Sequence, residues 1–208
     1  MEEVVKKKPG KRERTRTALL ESALDVIAQK GVEGAKINEI TDNAGMANGT
    51  FYNHFDDKEQ IIQAVAIYAA EQIGGRIDAE MAHLDKATAR MVTATTKAIN
   101  LAIDKPVLGL VLIDLINQST ETRNEMMRFL KLDLKLGQQQ GEFDIELSQF
   151  LLDQVVALIT ASMRNQITEG IDAQKTARTC DYILRLCGLT PKAAARAVEK
   201  TLHISNEE

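Results

Sequence analysis

Residues 36–58, KINEITDNAGMANGTFYNHFDDK, restrict the possible folds of this chain more than any other stretch. Two short segments with helical apolar spacing flank a glycine. Ile37 and Ile40 lie on one side, Met46 and Phe51 on the other. Gly45 stands where a sharp turn between helices needs a residue at ease with positive φ. Thr41 and Ala44 are small, so a second helix can cross closely over the first. The pattern is that of a helix-turn-helix. The second segment, about 47–54, is then the reading element, with Asn48, Gly49, Thr50, Asn53 and His54 facing outward. Amide and hydroxyl groups read base edges, and Tyr52 and His54 reach phosphates.

The rest of the chain reads as helix after helix, with no alternating strand pattern. Only three prolines occur in 208 residues, which suits long uninterrupted helices. The spacing predicts a first helix from Thr15, carrying Leu20, Ala23, Leu24 and Ile27 and stopped by Gly31. Asp56 or Asp57 caps a fourth helix that runs past Gly74-Gly75 to about His83. That glycine pair weakens a helix and marks a kink or a seam. Further helices are predicted at 87–104, 106–118, 121–139, 145–169, 173–187 and 191–202. The run VLGLVLIDLI, 107–116, is apolar almost all round and is expected inside the second domain. The fold class is therefore all-α. It comprises an N-terminal three-helix DNA-binding unit and a C-terminal helical domain, divided as a flexible basic arm over 1–14, a helix-turn-helix domain over 15–60 and a second helical domain over 61–208.

The net charge of −4 does not argue for nucleic acid, but charge is unevenly placed. Lys6, Lys7, Lys8, Lys11, Arg12, Arg14 and Arg16 face only Glu13 in the arm. Such a run either contacts phosphates or is a solvated tail; beside a helix-turn-helix the phosphate reading is favoured. No stretch approaches the roughly 18 apolar residues of a membrane span, and no apolar segment follows the basic N-terminus as a secretory signal requires. A cytoplasmic protein is the expectation. Cys180 and Cys187, the two cysteines, are too far apart on one helix to bond each other; they read as buried small residues, with redox sensing the alternative. The three histidines fall in separate regions, and no metal-ligand spacing, phosphate-binding glycine loop or nucleophile elbow occurs. No enzyme, metal or cofactor is expected.

The residues Ala44, Gly45, Gly49, Thr50, Phe51, Tyr52, His54, Phe55, Lys58 and Glu59 carry a pattern that resembles the N-terminal domain of the TetR family of bacterial transcription regulators. The likeness reaches back to about Thr15 and covers about a quarter of the chain. Lys36 stands where the family often has Thr or Ser, Thr41 where alanine is usual, and Ile27 where an aromatic residue is common. The resemblance implies that Lys36, Thr50, Tyr52, His54 and Lys58 hold the DNA backbone, while Asn38, Ala47, Asn48, Gly49 and Asn53 face base edges. Asparagine's natural bidentate partner is adenine.

The resemblance also implies a homodimer on double-stranded DNA with a palindromic operator, because one such motif reads too few base pairs for a genomic address. The apolar stripes of the last two long helices, Phe150, Leu151, Val155, Leu158, Ile159, Cys180, Ile183, Leu184 and Cys187, are either that dimer interface or intramolecular core, and the resemblance favours the interface. It further implies a pocket for a small effector among the central helices. Candidate lining residues are Met81, Met91, Leu112, Ile116, Met126, Met127, Phe129, Leu130, Met163 and Ile167, each of which alternatively fills ordinary core. Asp114 is an exceptional charge among these faces, so an apolar or weakly polar ligand is expected. The implied function is a ligand-released transcriptional repressor. The alternative is an architectural or partner-binding DNA protein of the same fold without ligand-dependent release.

Overall fold

The computed structural model describes residues 10–203, which form ten α-helices and no strand. Lys6, Lys7 and Lys8 of the basic arm lie outside the described residues. The helices are α1 (Lys11–Gly34), α2 (Ile37–Asn43), α3 (Asn48–Tyr52), α4 (Lys58–Glu80), α5 (Ala87–Asp104), α6 (Pro106–Gln118), α7 (Thr120–Gln140), α8 (Gln149–Glu169), α9 (Ala173–Leu186) and α10 (Pro191–Leu202).

The first three helices and the start of α4 close around Leu19, Ala23, Ile27, Ile40, Phe51, Phe55, Ile61 and Val65, all buried. The helix α1 begins at Lys11 rather than Thr15, so the inner half of the basic arm is helical. Gly31, at φ 72°, interrupts it where a stop is expected. At the α2–α3 turn, Gly45 takes φ 66°, and Met46 N–H closes the turn on the Thr41 carbonyl at 2.8 Å. A side chain at that φ is disfavoured, which is why the turn carries glycine. Ser22 ties α1 to α2 by donating to the Ile40 carbonyl at 2.6 Å and accepting from Asn43 Nδ2 at 3.0 Å.

In the second part α5 is central, packing against α7, α8, α9 and α10. Its stripe of Met91, Val92, Thr95, Ile99 and Ala102 is buried. No side chain of its own caps it. Instead Gln140 Oε1 accepts from Ala87 N–H at 3.1 Å and Glu142 Oε2 from Thr88 N–H at 2.9 Å, so the far end of α7 satisfies the first turn of α5. The helix α8 starts at Gln149, four residues later than its apolar spacing predicts. Ser148 caps it, and the preceding segment runs irregularly with Phe143 buried.

Two expectations about individual helices change. The helix α6 is not enclosed by the second part alone. Val111 and Leu115 pack against the N-terminal core, Leu108, Ile113 and Ile116 face inward, and Val107 and Asp114 are exposed. An all-round apolar helix here serves two apolar neighbours on different sides. The helix α4 is unbroken, so Gly74-Gly75 is not a kink. A Cβ at Gly74 would overlap the Phe129 ring of α7. The glycine is a notch that lets an aromatic ring lie flat on the α4 backbone.

Candidate functional site

The helix α3 is short and presents most of its side chains to solvent. Ala47, Asn48, Gly49 and Asn53 are exposed, as are Lys36 and Asn38 at the start of α2, while Thr50 and His54 are half-buried. Phe51 and Phe55 point the other way and anchor the helix in the core. Tyr52 is 59 % exposed, its ring resting edge-on against Phe51 at 5.3 Å between centroids. Asn48 is less free than its exposure suggests, because the buried Thr41 hydroxyl bonds its amide oxygen. That bond takes one of the two lone pairs of the Asn48 amide oxygen and holds the side chain, while no hydrogen bond holds the Asn53 side chain among the described residues. Asn53 is therefore the freer of the two amides.

The start of α1 adds positive charge beside this face. The Arg16 guanidinium lies over the Phe55 ring, 4.6 Å from its centroid. Burial first, then the charges of Arg12 and Arg16, hold the His54 pKa below its ordinary 6.5. Its imidazole is therefore neutral in the free chain at pH 7. Lys58 donates to the Glu33 carbonyl at 3.2 Å, and its ammonium keeps two further donors for a phosphate. Ala47, Asn48, Gly49, Thr50, Tyr52, Asn53 and His54 form one largely exposed, uncharged strip flanked by Lys36, Lys58, Arg12 and Arg16.

Behind the N-terminal unit, α4, α5, α7 and α8 enclose a cavity of about 100 Å³. Its wall includes Ile73, Gly74, Ile77, Met81, Met91, Met126, Phe129 and Leu130. A smaller adjoining hollow of about 30 Å³ is lined by Leu112, Ile116, Met126 and Met163 with Ala70, Ile73 and Ala98. Eight of the ten expected lining residues thus face one space or the other. Met127 is buried in the core instead, its sulfur accepting from Gln149 Nε2 at 3.1 Å, and Ile167 packs with Ile99 and Ile113. Asp114 faces away, exposed and paired with Arg164 at 2.8 Å.

One end of the cavity is polar, which the apolar periodicity does not reveal. Arg90 donates from Nε to Asp133 at 2.6 Å, from Nη2 to Asp78 at 2.5 Å and from Nη1 to the Met81 carbonyl at 3.1 Å. Burial pushes the Asp133 carboxyl above its ordinary range, and Arg90 pulls it back only in part. The available signal was Asp133 itself, a charge in phase with Met126 and Leu130 on an otherwise apolar seam. Thr95 also lines the cavity, 1 % exposed, and its hydroxyl has no partner. Leaving a buried hydroxyl unpaired costs roughly 1–3 kcal/mol.

The stripes on α8 and α9 point mostly inward. Val155, Cys180, Ile183, Leu184 and Cys187 are buried within one chain, where they join α8 and α9 to α5, α7 and α10. Leu151, Leu158 and Ile159 are half-buried against the same core. The five buried residues thus have their partners inside the protomer, while Leu151, Leu158 and Ile159 keep part of their surface open. The outward large apolar side chains of these helices are Phe150, at 72 % exposure, Tyr182 and Leu186. Burial pushes the Cys180 thiol up to about 11 and the Cys187 thiol to about 12, leaving both inert near neutrality.

Comparison with known proteins bears on both regions. Residues 19–65 match the family of bacterial regulatory proteins, tetR family. The chain is 30 % identical over 152 residues to the HTH-type transcriptional repressor KstR2 of Rhodococcus jostii (strain RHA1), a match covering 66 % of this chain and 74 % of that protein. It is 40 % identical over 63 residues to the uncharacterized HTH-type transcriptional regulator YvdT of Bacillus subtilis (strain 168), which covers 28 % of this chain and only 32 % of that protein. The crystal structure of RolR in complex with resorcinol superposes with a TM-score of 0.74 at 27 % identity, covering 91 % of this chain and 95 % of that one.

Proposed function

Given that the chain belongs to the TetR family and is a DNA-binding transcriptional regulator, we propose that it acts as a homodimeric repressor, released from a palindromic operator by a small, largely apolar effector. The single observation that carries this reading is the reach of α4. Its first residue is Lys58, beside the reading strip, and its later turns supply Ile73, Gly74, Ile77 and Asp78 to the cavity wall. One rigid helix thus touches both places where a ligand would act.

In this reading Lys36, Thr50, Tyr52, His54 and Lys58 hold phosphates, joined by Arg12 and Arg16. Asn38, Ala47, Asn48, Gly49 and Asn53 face bases. Two copies present their reading helices about 34–36 Å apart, one helical turn of DNA. A ligand that fits the cavity better in another arrangement of α4 and α7 draws the dimer toward that arrangement and disturbs the spacing. The resorcinol complex of RolR supports an effector of modest size here. No described helix is long and apolar enough to cross a membrane, and a cytoplasmic location fits a DNA partner.

The test is fluorescence anisotropy with the DNA upstream of the protein's own gene, at several salt concentrations. The expected result is saturable binding that survives competitor DNA and weakens at least tenfold in Tyr52→Ala, with helix content unchanged. Binding that ignores sequence and vanishes with salt would leave only the phosphate contribution and overturn the specific-repressor reading.

A further inference from the structure

We propose that the cavity takes a neutral molecule about the size of one six-membered ring, bearing a hydroxyl group that pairs with Thr95. The inference rests on the effector reading above and narrows it to a ligand class. Size comes first. An engineered apolar cavity of about 150 Å³ holds benzene, and this one is about 100 Å³ with a further 30 Å³ hollow sharing Ala70, Ile73, Ala98 and Met126. A long acyl chain would have to reach beyond this space.

Chemistry comes from the wall. Ile73, Ile77, Met91, Met126, Phe129 and Leu130 make most of it apolar. Thr95 breaks that surface. Thr15, Thr160, Thr168, Thr179 and Thr201 all sit in helices and donate to the carbonyl four residues earlier. Thr95 sits in a helix too but makes no such bond, and its hydroxyl is buried without any partner. Thr122 is also buried and unpartnered, but it lines neither space. The Thr95 hydroxyl has both a donor and an acceptor to offer whatever enters.

Charge selects against ions. Asp133 is buried and matched by Arg90, so the buried pair is neutral, while Asp78 is 43 % exposed and solvated. A carboxylate would meet two acidic side chains, and an ammonium would give up its water for carboxylates that Arg90 already bonds. A neutral hydroxyl meets Thr95 at no such cost.

The test titrates the full chain calorimetrically with phenol, toluene, benzoate and benzylamine. Phenol is expected to bind at least tenfold more tightly than toluene, and both ions more weakly than toluene. Thr95→Val, which keeps the shape, is expected to erase the phenol advantage while leaving toluene unchanged; Thr95→Ser is expected to retain it. Equal affinities for phenol and toluene, an advantage that survives Thr95→Val, or an ion as the tightest ligand would each overturn the proposal. Operator release is read separately. Thr95-dependent phenol binding without release supports the ligand class and sinks the effector reading. Release by toluene from a chain that shows no Thr95-dependent preference for phenol sinks the ligand class and leaves the effector reading standing.

Discussion

At position 49 the backbone is helical and nothing lies within 4 Å of where a Cβ would be. Neither conformation nor packing within the chain asks for glycine there, and glycine in a helix costs about 1 kcal/mol against alanine. In the proposed reading the reason lies outside the chain, in the close approach of DNA. Gly49→Ala is therefore expected to raise thermal stability by up to about 1 kcal/mol while weakening operator binding, a split readable by melting and anisotropy on one sample. His54 adds a pH signature. Its pKa in the folded free chain is lowered, so the native state resists protonation, and stability falls as pH drops below 6.5 toward the folded-state value. A phosphate beside the ring acts in the opposite direction and raises the pKa in the complex. DNA affinity is then expected to rise between pH 8 and 6, by at most about tenfold per pH unit. His54→Gln should flatten both trends; an unchanged affinity slope would remove His54 from the phosphate contacts.

Among the helices, periodicity was enough to locate most elements. The spans of α5, α6 and α10 follow directly from the apolar spacing, Pro106 and Thr190-Pro191. The helix-turn-helix and its exposed face were equally legible, because a turn glycine with flanking apolar residues admits few other arrangements. What periodicity does not carry is the identity of the partner. Val155, Ile183 and Leu184 look the same whether their stripe meets another helix of this chain or another copy, and here they meet this chain. Thr95 and Arg90 owe their roles to neighbours on other helices, beyond the reach of any local pattern. Gly74 is a further case. Its purpose depends on Phe129, which belongs to α7. Alanine at 74 displaces that ring, at about 1–3 kcal/mol for overpacking, against about 1 kcal/mol gained in helix propensity. Gly74→Ala is expected to destabilise by roughly 1 kcal/mol on that balance. In a Phe129→Ala background the same change should stabilise, a sign reversal that a double-mutant cycle detects. Additive effects would mean the notch has no role.

On the scale of the whole molecule, a dimer must use what the protomer leaves uncovered. Tyr182 and Leu186 lie one turn apart on α9, and Phe150 begins α8. Tyr182→Asp with Leu186→Glu is expected to give a monomer by light scattering, with unchanged helix content and operator affinity reduced at least a hundredfold. A dimer that persists would move the interface elsewhere. The trans-capping of α5 has a consequence in time. The N-terminal core closes from neighbours near in sequence, apart from the side that Val111 and Leu115 cover. The central helix of the second part, by contrast, receives its capping groups from residues 53 and 54 positions further on. During synthesis its first turn emerges well before Gln140 and Glu142 do, and contacts of such separation form slowly. The N-terminal helices thus have all their partners once α6 is made, whereas the first turn of α5 has its caps only once the end of α7 has left the ribosome.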